Sequence, residues 1–472
     1  MKFYITTPIY YVNAKPHIGH AYTTLAADVI SRYQKLQGSD AFFLTGTDEH
    51  GAKVAQAAED AGKDPQEFAD EVADEFKAAW KNLGIEYSDF IRTTEKRHKE
   101  KVQKFLEDLK EKAVLYEGEY KGLYCTGCEN FITEKELEGG KCPNHKKEPE
   151  EVIEKNWFFK LSDYTKKIKQ LIESDDFKIH PEFAKKETLG LLGQDLDDFS
   201  ISREKVDWGV KLPWDESQTI YVWVDALLNY LTARDYPDLD DKWPADLQLI
   251  GKDILKFHAI YWPAMLLAAG LDVPKQLFVH GYFTIDGQKM SKSLKNVIDP
   301  NDLVEKYGVD GARYLLLSQF PFGQDGDVKA EKFDEQYNSD LANGIGNLVS
   351  RISNLIEKNF DGKFSAKGRP TSGWDGNQKD FDKLFFENKL FEALKYIISG
   401  FSELDKKIDE QELWNLVKTD KEKAGRILSD IANEIISLAR KLEPFLPETA
   451  QKIIKQFESK RIEKQEPLFP RK

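Results

Sequence analysis

Residues 2–38 impose a strand–turn–helix order that few folds accommodate. A β-prone run at 2–7 is expected to close at Pro8, Asn13, Ala14 and Lys15 form a turn, and Pro16 stands just before His17. From Gly19 the apolar positions take a helical period, with Ala21, Leu25, Ala26, Val29, Ile30 and Tyr33 recurring at steps of three and four until Gly38. Such a succession puts unpaired backbone N–H groups and the positive end of a helix dipole at a sheet edge, a place suited to phosphate. His17 and His20, three apart at the helix start, can turn both rings to one anion. An isolated His-x-x-His caps helices just as readily, so this spacing alone decides nothing.

Alternation continues through residue 115. A buried-strand run covers 40–46, helical patterns begin at Ala52 and cover 65–83, a short strand covers 89–93, and a helix runs from Glu95 to about Lys112. Residues 1–115 thus predict the first half of a Rossmann-like, doubly wound parallel sheet (class α/β), with ligands beyond the carboxyl ends of its strands. Asp48 lies just past one such end. It suits a substrate ammonium group, and equally the cap of the next helix. Residues 116–218 read as an insertion, 219–325 as the second half of the sheet with a single strand over 277–285, and 326–472 as a separate all-α bundle. Within that bundle, helices are expected over 381–404 and 408–417.

The insertion holds all three cysteines of the chain, in Cys125-x2-Cys128 and Cys142-x2-His145. Three thiolates and one imidazole complete a tetrahedral zinc site over about 124–146, leaving no coordination position open. One structural Zn2+ per chain is expected. No basic-plus-apolar leader and no apolar run near the ~20 residues of a bilayer span is visible, so the expectation is a cytoplasmic protein without a membrane partner. The net charge of −14 sets only the average field, and a local basic groove can still follow a phosphate backbone.

A second stretch gives the histidines their meaning. Residues 278–285 read as a strand, Asp286-Gly287 as a tight turn, and Lys289-Met290-Ser291-Lys292-Ser293 follows. With Pro16-His17-Ile18-Gly19-His20 upstream, the pair resembles the two signatures of class I aminoacyl-tRNA synthetases, in the right order. The runs at 6–13, 221–226, 251–254 and 257–265 resemble the methionine-specific members of that class, and the single knuckle resembles their one-zinc bacterial type.

That resemblance implies a two-step reaction. Methionine's carboxylate attacks the α-phosphorus of Mg2+-bound ATP, and the resulting adenylate passes the amino acid to the 3′-terminal ribose of initiator or elongator methionine tRNA. His17, Gly19, His20, Gly251, Asp253, Lys289, Ser291 and Lys292 are implied to bind ATP. Among them His17, His20, Lys289 and Lys292 stabilise the reacting phosphates, and Arg203 assists at the adenylate. Ile9, Tyr11, Trp223, Ala226, Leu227, Tyr230, Ile254 and His258 are implied to line the methionine pocket, with Asp48 on the ammonium. Leu227 stands where many relatives carry proline. An aromatic slot suits a thioether, and Tyr230 and His258 are expected to offer hydrogens to its sulfur. Asn347, Arg351 and Trp414 are implied to read the anticodon.

Rival expectations are a class I synthetase for cysteine or a branched aliphatic amino acid, and a nucleotidylyltransferase sharing the His-x-x-His start. A cysteine enzyme would use zinc in its pocket, and a nucleotidylyltransferase would not need the long helical C-terminus. Many bacterial relatives carry a dimerising C-terminal barrel; this sequence ends at Lys472 without one, and a monomer is expected.

Overall fold

Six parallel strands form the central sheet, in the order Asp89–Arg92, Asp40–Asp48, Lys2–Tyr11, Leu247–Gly251, Gln276–His280, Lys178–His180. The computed structural model describes residues 1–132, 134–143, 146–285, 287–289, 297–363 and 378–472. Central strands are apolar on both faces, as a sheet covered by helices requires: Tyr4, Ile5, Phe43, Leu44, Leu249 and Ile250 are fully buried. The two sequence halves of the sheet meet where Lys2–Tyr11 pairs with Leu247–Gly251. In a doubly wound sheet the ligand crevice opens beyond the carboxyl ends at such a switch point.

Pro8 does not close the first strand, contrary to expectation. Pairing with Asp40–Asp48 jumps register between Thr6 and Ile9 and then continues to Tyr11↔Asp48. Proline has no N–H for the ladder, so the strand bulges past it, which carries Ile9 and Tyr11 to the carboxyl edge. Residues 277–285 are likewise not one strand. The first ends at His280, and Phe283–Ile285 pairs in another sheet with Gly326–Val328. At Gly281 between them, a Cβ would fall 2.4 Å from the backbone of Gln324 and Asp325.

Within the insertion, Leu115–Cys125 and Glu150–Phe159 pair antiparallel over ten positions, and Asn130–Ile132 extends that sheet beside the cysteines. All of this belongs to one compact unit, Met1–Pro16, Gln34–Trp80 and Glu86–His280.

The other unit comprises His17–Tyr33, Lys81–Ile85 and Gly281–Lys472. Its long helices are Pro300–Leu317, Asn347–Phe360, Leu390–Glu410, Lys421–Leu442 and Pro447–Phe457. The helix expected over 381–404 is two, Gln378–Phe386 and Leu390–Glu410, broken where Asn388 takes φ +55°. The helix expected over 408–417 is broken too, because Glu412 at φ +43° ends one helix before Leu413–Thr419 begins. Arg313 is fully buried and donates to Asp28 at 2.7 Å and to the carbonyls of Phe445, Pro444 and Leu83 at 2.7, 3.0 and 3.2 Å. Such complete pairing is what lets a buried guanidinium be tolerated, and it ties the histidine-bearing helix Ile18–Leu36 to the turn before Pro447–Phe457. Among the described residues no helix is long and apolar enough to cross a membrane.

Candidate active site

Asp48 ends the second strand in register with Tyr11 and is buried. Its carboxylate accepts the N–H of His50, while Oδ1 has no partner among the described residues. Burial first, then the neighbouring Asp225, push its pKa well above the usual carboxylate range. A buried carboxyl with an unused oxygen is poised for a cation. It is not the cap of helix Ala52–Asp60. That place belongs to Glu129, which receives the N–H of Lys53 at 2.7 Å. Gly51 takes φ +99°, and a Cβ there would meet Tyr11 Oη at 2.7 Å and both Glu129 oxygens at 2.8 Å.

Beside Asp48 the loop is tightly held. Glu49 is buried but neutralised by Arg92, with Nε at 2.6 Å and Nη2 at 2.9 Å. Trp208 Nε1 donates to the Glu49 carbonyl at 2.6 Å, and Tyr11 Oη donates to the His50 carbonyl at 3.2 Å. His50 Nδ1 lies 2.7 Å from Asp225 of helix Val222–Leu227.

That helix carries Trp223, Ala226 and Leu227; Trp223 stacks on Phe257 with centroids 4.0 Å apart. His258 lies in the wide helical turn Phe257–Tyr261. Its Nδ1 is 3.1 Å from the Ile254 carbonyl and so carries the proton. Nε2 therefore accepts from Tyr230 Oη, at 2.8 Å. Burial lowers the His258 pKa to about 4, keeping the ring neutral. The hydrogens expected to face sulfur are thus committed within the protein. Gly251 ends its strand, and a Cβ there would lie 2.8 Å from Oδ1 of the exposed Asp253 side chain.

Arg203 is buried, with Nε and Nη2 on Glu154 at 2.8 and 3.0 Å and its guanidinium 4.0 Å above the Tyr124 ring. Its Nη1 is buried without a partner among the described residues.

The thiols of Cys125, Cys128 and Cys142 lie within 4.8 Å of one another, Cys128 and Cys142 at 3.5 Å. Tetrahedral Zn–S bonds of ~2.3 Å put sulfurs roughly 3.8 Å apart, so this set fits a metal ion. Two hydrogen bonds join the loop of Cys128 to helix Val222–Leu227 and the residue before it: Trp223 Nε1 to the Cys128 carbonyl at 3.3 Å, and Tyr221 Oη to the Glu129 carbonyl at 2.7 Å.

In the helical unit, the half-buried rings of His17 and His20 stack at 3.8 Å. His17 Nδ1 accepts the N–H of Gly19 at 3.1 Å, and His20 Nδ1 accepts the N–H of His17 at 3.3 Å. Each ring's proton therefore sits on Nε2. Burial lowers the pKa of His17 to about 4, and burial together with His17 lowers that of His20, so both are neutral. Arg351, one turn after exposed Asn347, pairs with Asp405 and Asp409 at 2.6 and 2.7 Å, and Trp414 is 41% exposed. His145, Ser291 and Lys292 lie outside the described residues, as does the side chain of Lys289.

Sequence reasoning missed Glu129, Asp225 and His98. The first is hidden in the knuckle, and the other two are far apart in sequence and become neighbours only through the fold.

The family model "tRNA synthetases class I (M)" matches residues 3–152 and 145–353. A methionine–tRNA ligase of Caldanaerobacter subterraneus subsp. tengcongensis is 42% identical, covering 99% of this chain and 78% of that protein. One from Thermotoga maritima is 44% identical, covering 98% and 76%. Among solved structures, the Mycobacterium tuberculosis methionyl-tRNA synthetase in complex with methionyl-adenylate matches with TM-score 0.91 at 38% identity, covering 96% of this chain and 93% of that one. A sheet of this topology and matches of this extent define a class I aminoacyl-tRNA synthetase. Within that class the chain belongs to the methionyl-tRNA synthetase family, the methionine–tRNA ligases.

Proposed function

We propose that the crevice beyond Tyr11, Asp48 and Gly251 activates L-methionine with Mg2+-ATP and that the adenylate then charges methionine tRNA. The observation that carries the assignment of roles is Asp48, a buried carboxyl beside an aromatic slot with one oxygen that has no partner among the described residues. Asp48 receives the ammonium group. Ile9, Tyr11, Trp223, Ala226, Leu227, Tyr230, Ile254 and His258 enclose the thioether, with sulfur–aromatic contact in place of a hydrogen bond. His17 and His20 donate Nε2 hydrogens to the phosphates, Lys289 and Lys292 draw off pyrophosphate, and the spare Nη1 of Arg203 serves the adenylate. Gly251 leaves room for the nucleotide, which Gly19, Asp253 and Ser291 also contact. Asn347, Arg351 and Trp414 meet the anticodon, for which Arg351 gives up one of its two acidic partners.

ATP–pyrophosphate exchange across the twenty amino acids tests this. Methionine is expected to exceed leucine in kcat/KM by about a hundredfold or more, since a pocket built around a polarizable sulfur gains from both fit and contact. Equal exchange with cysteine, valine or isoleucine would defeat it.

Cys125, Cys128, Cys142 and His145 would hold a structural Zn2+, which when bound supplies a crosslink and no open coordination site. A knuckle so small and so poor in apolar residues depends on that crosslink. Chelation is expected to speed amide hydrogen exchange over residues 120–150 while the parallel sheet keeps its protection. Unchanged exchange after verified metal removal would sink the idea.

A further inference from the structure

Asp225 is not among the residues that line the proposed pocket, yet both of its carboxylate oxygens are engaged beside it. It is 1% exposed, with Oδ2 2.7 Å from His50 Nδ1 and Oδ1 2.9 Å from His98 Nε2. His98 is itself fully buried and is oriented by Thr232, whose hydroxyl lies 2.7 Å from Nδ1. A carboxylate oxygen only accepts, so His98 presents an Nε2 hydrogen to Asp225. Each carboxylate oxygen thus takes one imidazole N–H, and the two histidines hold Asp225 as an anion.

The connectivity gives the arrangement a purpose. His50 is two residues beyond Asp48, while Asp225 shares a short helix with Trp223 and Ala226. His98, from helix Lys96–Glu111, anchors the same carboxylate and is itself held by Thr232 of helix Asn229–Thr232. The His50–Asp225 bond is therefore the direct strap between the loop bearing the ammonium site and the helix bearing the pocket wall.

Charge works in the same direction. Asp48 and Asp225 are two buried carboxylates close enough to act on each other, and Glu49 beside them is already paired with Arg92. A monocation arriving at the unpartnered oxygen of Asp48 relieves both.

We propose that Asp225, clamped between His50 and His98, is a positioning residue for the α-ammonium group: it fixes the Asp48 loop to the pocket helix and adds a second negative charge behind Asp48. This rests on the assignment of Asp48 to the ammonium.

Calorimetry on the full chain tests it, with L-methionine and with 4-(methylthio)butanoic acid, which keeps the thioether and carboxylate and lacks the ammonium. Asp225→Asn is expected to weaken L-methionine binding about tenfold or more and to leave the desamino acid within about twofold, with KM for ATP equally unmoved. His50→Asn keeps a donor near the position of Nδ1 and should hold methionine affinity within about threefold, whereas His50→Gln, whose donor sits one bond farther out, should lose as much as Asp225→Asn. Equal loss for both ligands, or none, overturns the proposal. Should Asp225→Asn fail to fold, the two His50 variants decide by the same criterion. Asp48→Asn run in parallel separates the two ideas. If it binds methionine normally, the ammonium assignment falls and this inference with it; if it alone loses affinity, only this inference falls.

Discussion

Asp48→Asn is expected to raise the Kd for L-methionine by about two orders of magnitude, with the affinity for ATP little changed. The size follows from where the group sits. An exposed ion pair contributes ~0–1 kcal/mol, which would show as less than roughly a fivefold change. Asp48 is buried, and one of its oxygens has no partner among the described residues, so the substitution leaves an ammonium group desolvated without its counter-charge. Truncating one partner of such a pair costs about 2–5 kcal/mol. Titration calorimetry distinguishes the two regimes directly, and a change under fivefold would remove Asp48 from the ammonium site. A second signature comes with it. Because the pKa of Asp48 is raised when the site is empty, while the bound ammonium requires the carboxylate, affinity falls as pH drops through that pKa. Where Asp48 is protonated in the free protein, binding releases a proton, and this release disappears in the Asn variant.

What the sequence disclosed and what it withheld divide along one physical line. Local rules reached the strand–turn–helix at the start, the alternating pattern of the sheet, and the three cysteines, whose spacing marks them as one set and whose thiols do meet. They failed where a long-range contact overrode local preference. Pro8 would end an isolated strand, but pairing with Asp40–Asp48 resumes at Ile9 and carries the chain past it in a bulge. Gly281 gives no sign that the peptide plane joining Gln324 to Asp325 crowds it. The family resemblance implies that Tyr230 and His258 offer hydrogens to sulfur, while the geometry shows them satisfying each other and the Ile254 carbonyl. Asp225, His50 and His98 span 175 residues of sequence and form one buried cluster, which no periodicity or spacing signals. Glu129 was hidden more simply: a lone glutamate beside a cysteine looks like knuckle surface until the fold sets it against the start of another helix.

His20→Asn is expected to lower kcat for adenylate formation by about 10²–10³, with KM for ATP changed less than about fivefold. Asparagine is the informative replacement because its Oδ1 can take the His17 N–H that Nδ1 accepts, so the turn survives while the Nε2 hydrogen is lost. The split between kcat and KM follows from charge. Burial keeps both rings neutral at pH 7, so they meet the triphosphate as dipoles and not as cations. A neutral donor gains most where negative charge grows, as it does on the phosphate oxygens when the carboxylate attacks, and gains less from the resting substrate. Losing one such donor costs about 3–4 kcal/mol of barrier, which is the stated fall in rate. Single-turnover adenylate formation, measured against ATP concentration, separates the two parameters. A variant with normal kcat and a high KM would make His20 a ground-state anchor for ATP, and the phosphate charge would have to be stabilised elsewhere.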